Sequence, residues 1–513
     1  MINQTKSQSL KTAAVFRDHM VLQRDKNLLI WGTGKEGDVV TVTLQEHSAS
    51  QIIKNGTWSL ELPPMPAGGP YTMKITTKEE SLSYSDIMLG EVWLAGGQSN
   101  MELQLINSKN GKDVVANVDP ALSSKIRFYN VPQQSYFSED FVTTEENACW
   151  ELCTPETCGN WSAVAYYFEK NIATTLDVTV GIIGCNWGGT SASAWTSRTF
   201  LEKDVDTKTY LDDYEEAYHK YEDYNAYCKA VDEYDAWYAV WQKKIDELYA
   251  ADPNISWNKA QEIAGQNRWP GPIGPKSFYR PSGLYETMLS RVCPYTLRGF
   301  LYYQGEEDDK KATIYGKLLQ TLIKQWRHDW NDDRLPFLLV QLPMFINCDD
   351  VDQKNWPIIR ENQMLTHQTM KNTGIAVILD LGEFNNIHPL EKEEVGRRLA
   401  LQAFYHVYGL EVSAYGPIYK SRILHEDSIE LLFDHATEGF TVKGDSIEGF
   451  EIAGEDKQYV KGTASIIGSR IFVSASKVKS PRYIRYNWTN YGPVTLYGKN
   501  NIPVAGFRTD YEA

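Results

Sequence analysis

The chain has 513 residues, which is too long for a single hydrophobic core and predicts division into about three or four domains. Its composition, 42% hydrophobic and 12% aromatic, is that of a globular protein, and its formal net charge of −16 argues against nucleic acid or an anionic membrane surface as a partner. No apolar stretch approaches the roughly 20 residues of a membrane span, and residues 1–6 lack the apolar core of a secretory signal. We therefore expect a cytoplasmic protein, or a secreted one if a signal has been removed.

Residues 10–87 are composed of short alternating runs that are broken by turns. The run at 39–44 alternates as a half-buried strand does, and Asn55 and Gly56 are typical of a hairpin turn ahead of the next run, at 57–60. This pattern predicts an N-terminal all-β domain similar to a small sandwich.

Residues 88–200 and 286–410 show a different pattern, in which apolar strand-like runs alternate with helical stretches. The apolar runs lie at 92–95, 178–183, 299–303, 337–341 and 375–379, with helical stretches such as 163–175 and 392–408. Such alternation predicts parallel strands joined by helical crossovers. We therefore predict an α/β core in two parts.

The interruption, residues 201–285, is rich in tyrosine and acidic residues. Its tyrosines recur at helical period, at positions 210, 214, 218, 221 and 224. This predicts a helical insertion whose tyrosine stripe is a packing face or, alternatively, an aromatic platform for sugar rings. The proline-rich residues 269–275 should form an ordered loop that returns to the core. Short strands and turns resume after the core and predict a C-terminal β domain over residues 411–513.

The most informative stretch is residues 97–101, Gly-Gln-Ser-Asn-Met, directly after the apolar run at 92–95. Glycines at the end of a strand permit a tight turn, and a helix that begins there points backbone N–H groups toward the serine. Ser99 is therefore a candidate nucleophile, which needs a base and oxyanion donors from elsewhere in the chain. The alternative interpretation is that Ser99 only caps a helix.

Three further loops at the ends of predicted strands carry suitable partners. Gly188 and Gly189 leave a backbone N–H open toward an oxyanion, unless they form only an ordinary turn. Gln304 can donate a side-chain N–H to the same oxyanion. His388 lies in a polar loop beside a proline, where a histidine that is neutral near physiological pH suits a general base. Because such loops meet at one edge of a parallel sheet, we predict that these residues form one site.

The seven cysteines are an odd number and do not suggest a disulfide framework. Cys149, Cys153 and Cys158 lie close together in the sequence, but no histidine is near them and their spacing is not that of a zinc site. We therefore predict reduced thiols, no metal and no other cofactor.

Together these residues resemble the sialate O-acetylesterase branch of the SGNH hydrolases, and the resemblance covers nearly the whole chain. The matching blocks are residues 16–24, 90–101, 187–197, 304–306 and 387–400. The resemblance implies a three-layer α/β SGNH core with a parallel sheet, β-rich accessory regions and metal-independent removal of acetyl groups from sugars. It assigns attack on the acetyl carbonyl to Ser99 and proton transfer to His388. The implied oxyanion donors are the backbone N–H groups of Ser99 and of Gly188 or Gly189, with the side chain of Gln304.

Three positions depart from the family pattern. Asn386 stands where many relatives place an aspartate, so either a Ser-His dyad operates or another carboxylate orients the histidine. Our first choice for that carboxylate is Glu306 and our second is Glu383. Asp308 and Glu286 stand where relatives often carry asparagine, and their extra negative charge would repel an anionic substrate. This favours a neutral plant-type oligosaccharide over a sialic acid.

We therefore predict a serine-dependent carbohydrate O-acetylesterase that acts on an acetylated mono- or oligosaccharide, with no nucleic-acid or membrane partner. An oligomer is compatible with the sequence. Two alternatives stay open. One is a lipase-like or thioesterase-like hydrolase on the same core, which the aromatic insertion disfavours. The other is a carbohydrate-binding protein whose esterase site has decayed, which Asn386 would allow.

Overall fold

One long strand, β8 (Ser81–Gly97), connects the N-terminal region with the core of the protein. The structure is a computed structural model that describes residues 9–252 and 255–510. The N-terminal strands are β1 (Lys11–Thr12), β2 (Val21–Gln23), β3 (Leu28–Thr33), β4 (Val39–Leu44), β5 (His47–Ile52), β6 (Thr57–Leu62), β7 (Gly68–Thr76) and β8 (Ser81–Gly97). The first half of β8 pairs antiparallel with β7, and its second half pairs with core strands. β8 therefore runs through position 87/88, where the sequence predicts a domain boundary.

The core is built in two parts on either side of the helical insertion. Its first part contains α1 (Ser99–Glu102), α2 (Gly111–Ala116), α3 (Pro120–Ser123), β9 (Ile126–Asn130), α4 (Phe141–Asn147), β10 (Trp150–Leu152), α5 (Ala163–Leu176), β11 (Val180–Asn186) and α6 (Arg198–Leu201). The insertion contains α7 (Val205–Tyr218), α8 (Tyr224–Ala251) and α9 (Trp257–Ala264). The second part contains α10 (Ser290–Val292), β12 (Gly299–Tyr303), α11 (Tyr315–Asp329), β13 (Phe337–Val340), α12 (Asn355–Thr369), β14 (Thr373–Ala376) and α13 (Lys392–His406).

The core sheet has the strand order β10-β9-β11-β8-β12-β13-β14. Neighbouring strands run parallel, except that β10 is antiparallel to β9. Parallel strands need long crossovers, which the helices of the two parts supply. The predicted α/β core with additional all-β regions is confirmed at this level.

Helices cover both faces of the core sheet. On β8, Trp93 lies edge-on against Phe168 of α5, with ring centroids 5.2 Å apart. Three positions along, a Cβ on Gly96 would lie 2.7 Å from the Trp326 ring of α11. Residues three apart on a strand point to opposite faces, so α5 and α11 pack on opposite sides of β8. Burial on both faces explains why the second half of β8 is apolar throughout instead of alternating.

The insertion and the C-terminal region have small cores of their own. In the insertion, Trp241 and Ile245 of α8 pack with Ala260 of α9. The C-terminal strands are β15 (Ile418–Leu424), β16 (Ser428–Asp434), β17 (Phe440–Val442), β18 (Phe450–Ala453), β19 (Val460–Lys461), β20 (Thr463–Ile467), β21 (Arg470–Ser474), β22 (Tyr483–Tyr486), β23 (Leu496–Gly498) and β24 (Phe507–Arg508). They enclose a separate apolar cluster that includes Ile429 and Ile484. Within residues 9–252 and 255–510, none of the helices has the length and apolar character that crossing a membrane requires.

Candidate active site

The predicted site residues follow three neighbouring strands of the core sheet. Ser99 comes two residues after β8, Gly188 two residues after β11, and Gln304 directly after β12. In the sheet register, Gly97 at the end of β8 lies opposite both Asn186 of β11 and Tyr303 of β12. The three strands therefore end at the same level, and their loops open on one edge of the sheet.

The turn before Ser99 requires a glycine. Gly97 has a φ of +139°, and a Cβ placed on it would lie 2.1 Å from the carbonyl oxygen of Tyr303. The next residue, Gln98, donates its backbone N–H to that same carbonyl at 3.1 Å. Only glycine fits this close approach of two strands. Helix α1 then begins at Ser99, two residues after the end of β8.

Ser99 and His388 are in direct contact. The Nε2 atom of His388 lies 2.8 Å from the Ser99 hydroxyl oxygen. In the tautomer that carries its proton on Nδ1, the imidazole accepts a hydrogen bond from the serine hydroxyl at Nε2. This is the geometry of a nucleophile and its general base. Burial, followed by the positive charge of Lys392, lowers the pKa of His388 below its usual 6.5. The ring is therefore neutral, and able to accept a proton, at neutral pH.

Neither predicted carboxylate contacts the imidazole of His388. Glu306 is buried and its Oε1 accepts an N–H from the Asn100 side chain at 2.6 Å, while its Oε2 has no hydrogen-bond partner among the described residues. Burial raises the pKa of Glu306, against the opposing effect of Asn100. Glu306 thus lies behind Asn100, which also donates to the carbonyl of Ile387 at 3.0 Å. It reaches the histidine loop through one intervening side chain.

Glu383 holds the loop before His388. Its two carboxylate oxygens accept the Asn386 side-chain N–H and the Leu390 backbone N–H, both at 2.7 Å. Asn386 in turn accepts the backbone N–H of His388 at 3.0 Å. The amide at 386 therefore shapes the loop backbone and makes no hydrogen bond to the imidazole.

A buried lysine, which the sequence analysis did not single out, lies behind the Ser-His pair. Lys392 is 1% exposed, and its ammonium donates to the Asn100 side-chain oxygen at 2.6 Å. Burial lowers its pKa to about 7, although Glu306 acts in the opposite direction. The sequence does carry a signal for this position. Lys392 shares a helical face with the buried Val395 and Leu399, so its stem belongs to the inward side of α13.

Two of the predicted oxyanion donors are occupied by other acceptors in this structure. The backbone N–H of Gly188 donates to Glu102, whose other carboxylate oxygen accepts from Gln133 at 2.8 Å. The side chain of Gln304 donates to Asp308 at 2.6 Å and to the Thr190 carbonyl at 3.2 Å.

The backbone N–H groups of Ser99 and Gly189 donate to no acceptor in the part of the chain that the structure describes. These two groups, at the loops that follow β8 and β11, remain available to an oxyanion.

The two unusual acids have structural partners. Asp308 is buried and accepts hydrogen bonds from Gln304, from the Ser191 hydroxyl at 2.6 Å and from the Ala192 backbone at 3.0 Å. Burial nevertheless raises its pKa. Glu286 forms an ion pair with Arg280 at 2.7 Å. Asp308 therefore fastens two active-site loops together, and the negative charge that lies against Gly188 is that of Glu102.

This chain is similar in sequence and in structure to proteins described as carbohydrate esterases. The family model for a carbohydrate esterase, sialic acid-specific acetylesterase, matches residues 271–404. Sialate O-acetylesterases of mouse and human are each 27% identical over 77% of this chain, covering 73% and 71% of their own lengths. The crystal structure of a carbohydrate acetylesterase from Xanthomonas citri matches with a TM-score of 0.78 and 28% identity, over 98% of this chain and 99% of that one. This chain is therefore similar to sialate O-acetylesterases, and it is an ester hydrolase.

The family match covers only part of the esterase's site. The matched residues 271–404 include Glu306, His388 and Lys392, whereas Ser99 and the Gly188 loop precede them. The resemblance predicted from the sequence is confirmed. Among residues 9–252 and 255–510, no three histidine, cysteine, aspartate or glutamate side chains are grouped as metal ligands.

Proposed function

We propose that this esterase is a serine-dependent carbohydrate O-acetylesterase on a three-layer SGNH core, with Ser99 as nucleophile and His388 as general base. The observation that carries the proposal is the 2.8 Å contact between the Ser99 hydroxyl, just after β8, and His388 Nε2, in the loop that precedes α13. A neutral imidazole in this position can take the hydroxyl proton as the oxygen attacks. The contact between Ser99 and His388 therefore supports a nucleophilic role for Ser99 over helix capping alone.

The reaction proceeds in two steps. Ser99 attacks the acetyl carbonyl while His388 takes its proton, and the protonated His388 then gives that proton to the departing sugar oxygen. This leaves an acetyl-serine, which water attacks with His388 again acting as base, releasing acetate. The N–H groups of Ser99 and Gly189 stabilise the oxyanion in both steps. Gly188 and Gln304 join them only if their bonds to Glu102 and Asp308 are exchanged for the substrate.

Glu306, Asn100 and Lys392 are positioning residues in this mechanism. Asn100 links the carboxylate of Glu306 with the Ile387 carbonyl next to His388, and Lys392 holds the other end of the Asn100 amide. This fixes the loop that carries the base, while the Lys392 charge disfavours protonation of His388 before attack. The pair therefore operates as a dyad whose base is held by its loop.

A neutral acetylated saccharide suits this site better than an anionic one. Glu102 places negative charge beside the Gly188 loop, because its carboxylate accepts the Gly188 N–H. A sialic acid carboxylate brought to the same loop would be repelled by it. The preference for a neutral substrate thus rests on Glu102 instead of on Asp308 and Glu286.

The test combines labelling with turnover. Wild-type protein is treated with a fluorophosphonate, and the modified residue is identified by mass spectrometry. Acetate release is then measured on 4-nitrophenyl acetate, acetylated xylo- and manno-oligosaccharides and an O-acetylated sialic acid. Labelling at Ser99 with acetate release from a saccharide supports the proposal. Tight saccharide binding without labelling or turnover would instead establish the decayed-site alternative.

Asn386→Asp alone is expected to lower kcat/KM, because it would place a second carboxylate against Glu383, which now lies 2.7 Å from the Asn386 amide. Like charges in contact at a partly exposed site cost about 1 kcal/mol, or roughly fivefold in rate if the loop is displaced. The double variant Asn386→Asp/Glu383→Gln removes that repulsion and should recover the loss. Steady-state kinetics on 4-nitrophenyl acetate measures both variants, with Glu383→Gln as the matched control. A gain in the single variant would show that a missing carboxylate limits the enzyme.

The acidic limb of the pH profile of kcat/KM is expected below pH 6.5, because burial and Lys392 lower the pKa of His388 from that value. His388 must be neutral to act as base, so activity rises as pH increases through its pKa. Lys392, with a pKa of about 7, is charged over the range in which His388 titrates.

The variant Lys392→Met removes the positive charge that lowers the pKa of His388, so the limb should move to higher pH. Profiles of wild type and variant check this, with thermal melting to confirm folding. A limb that stays in place, or moves down, contradicts the assignment.

A further inference from the structure

Four aromatic side chains lie beside the candidate active site and form what we call the aromatic wall: Trp187, Trp269, Phe278 and Tyr279. Trp187 comes from the loop after β11, and the other three come from the segment that returns from the insertion. Trp187 and Phe278 are stacked with centroids 5.3 Å apart and planes at 11°. Trp269 packs against both Phe278 and Tyr279 at centroid distances of 5.5 and 5.4 Å.

Trp269 is the member of the wall that touches the catalytic loop. A Cβ on Gly189 would lie 2.8 Å from the Trp269 indole, so the ring lies directly against that glycine. At the preceding residue, a Cβ on Gly188 would lie 3.2 Å from the Ser99 Cβ. Two consecutive glycines thus separate the nucleophile on one side from the indole on the other. A saccharide whose acetyl group lies at the Ser99 hydroxyl would therefore have its sugar ring close to this indole.

The indole is held in a fixed orientation. Its Nε1–H donates to the Tyr279 hydroxyl at 2.7 Å, and that hydroxyl donates in turn to Glu307. The backbone N–H of Glu307 donates to the Gln98 side chain, next to Ser99, at 3.2 Å. The polar edge of Trp269 is therefore satisfied inside the protein, yet the residue remains 42% exposed. An exposed apolar ring whose orientation is already fixed loses little entropy when a ligand packs on it.

The helices of the insertion support this loop from behind. A Cβ on Gly271 would lie 2.7 Å from Tyr234, and a Cβ on Gly274 would lie 2.4 Å from Tyr227. Tyr227 also accepts the backbone N–H of Lys276 at 3.1 Å. The α8 tyrosines are thus used for packing on the loop, and the exposed aromatic surface near Ser99 belongs to the loop itself.

We infer that Trp269 is a specificity-determining residue, the platform on which the pyranose ring of an uncharged acetylated saccharide stacks. This inference rests on the proposed function. The axial C–H groups of a pyranose carry partial positive charge and are attracted to the negative face of an indole, which the exposed ring of Trp269 offers. The Gly188–Gly189 segment sets the distance between the Trp269 indole and Ser99. A sugar stacked on the indole is thereby held alongside the serine that attacks the acetyl group of that sugar. The insertion therefore contributes directly to substrate choice.

The experiment measures a specificity ratio, kcat/KM for an acetylated saccharide divided by kcat/KM for 4-nitrophenyl acetate, which has no pyranose ring. The saccharide panel contains acetylated xylo- and manno-oligosaccharides, glucose pentaacetate and an O-acetylated sialic acid. Trp269→Ala should lower the ratio by about 10- to 100-fold, and Trp269→Phe by no more than about threefold. Trp269→Leu keeps apolar packing on Gly189 but lacks a π face, so it should resemble alanine and serves if the alanine variant does not fold.

The matched control is Trp257→Ala. Trp257 is the first residue of α9 within the same insertion, and its aromatic contact is with Trp241 of α8. Its ratio should stay within about twofold of wild type. A second readout is the affinity of Ser99→Ala protein for the preferred saccharide, which should weaken by a similar factor when Trp269→Leu is added.

The outcomes separate this inference from the proposed function. Loss of both activities by an equal factor in Trp269→Ala and Trp269→Leu would make Trp269 only a support for the loop and overturn the inference. So would a wild-type enzyme that hydrolyses 4-nitrophenyl acetate but neither binds nor deacetylates any member of the panel. Absence of Ser99 labelling and of all hydrolysis overturns the proposed function itself.

Discussion

Ser99→Ala is expected to lower kcat for acetyl release by about 10⁴- to 10⁶-fold, down to the background set by binding and the oxyanion donors. The variant removes only the hydroxyl oxygen that lies 2.8 Å from His388 Nε2, and no acetyl-enzyme can form without it. The site around it is rigid, because Gly97 and Gln98 fix the preceding turn through the Tyr303 carbonyl. We therefore expect the variant to fold and to bind saccharide.

The measurement is acetate release in initial-rate assays, together with loss of the fluorophosphonate label. The control is Ser290→Ala, an exposed serine on α10 whose hydroxyl donates to the Glu286 carbonyl at 2.6 Å, outside the site. Its activity should equal that of wild type. If the Ser99→Ala variant kept more than about one tenth of its activity, another group would be the nucleophile.

The positions of Ser99, Gly188 and Gln304 follow from the sequence because each comes just after an apolar run. Parallel strands end at the same edge of a sheet, so three such loops must meet if their strands are neighbours. The structure places β11, β8 and β12 side by side. The short distance between His388 and Ser99 follows less directly, since 289 residues separate the two and the strands β12 and β13 lie between β8 and β14, which their loops follow.

Hydrogen-bond partners within the site could not be predicted in the same way. The sequence places Gly188 at the sheet edge, but which acceptor its N–H meets depends on the rotamer of Glu102, and a pattern of residue types contains no rotamers. Likewise Gln304 follows the expected strand, but its side-chain amide donates to the buried Asp308 and not toward an oxyanion. A buried carboxylate requires hydrogen-bond donors around it, and the sequence pattern does not show which donors these are. Residue type and spacing fix the position of a backbone more readily than the direction of a side chain.

Two larger features of the fold could not be predicted from the sequence pattern: the continuity of β8 and the position of the loop that carries Trp269. β8 runs from the N-terminal sheet into the core as one strand, although Asp86 has a φ of +53° and the register with β7 shifts there. The contact of Trp269 with Gly189 joins positions 80 residues apart, with the helices α7, α8 and α9 of the insertion between them. Periodicity predicts that the insertion is helical, but it gives no information on where the returning loop lies.

His388→Gln is expected to lower kcat/KM by about 10³- to 10⁵-fold, and it separates proton transfer from positioning. A glutamine amide can still hydrogen-bond the Ser99 hydroxyl, but it does not accept its proton at neutral pH. Ser99 and His388 act as one unit, so the double variant Ser99→Ala/His388→Gln should be no slower than Ser99→Ala alone. Single and double variants are compared by kcat/KM on 4-nitrophenyl acetate. His219→Gln, at an exposed position in the insertion, is the matched control.

The size of the loss also decides between two possible bases. Lys392, whose pKa burial lowers to about 7, is a second basic group close to Ser99, and near that pH its neutral form can accept a proton. If His388→Gln cost less than about tenfold, the proton would be going elsewhere. Lys392→Met in that background should then abolish the remaining activity, and the pH limb should move upward toward 7. The 2.6 Å hydrogen bond from the Lys392 ammonium to Asn100, and the direct contact of Ser99 with His388, lead us to expect the larger loss.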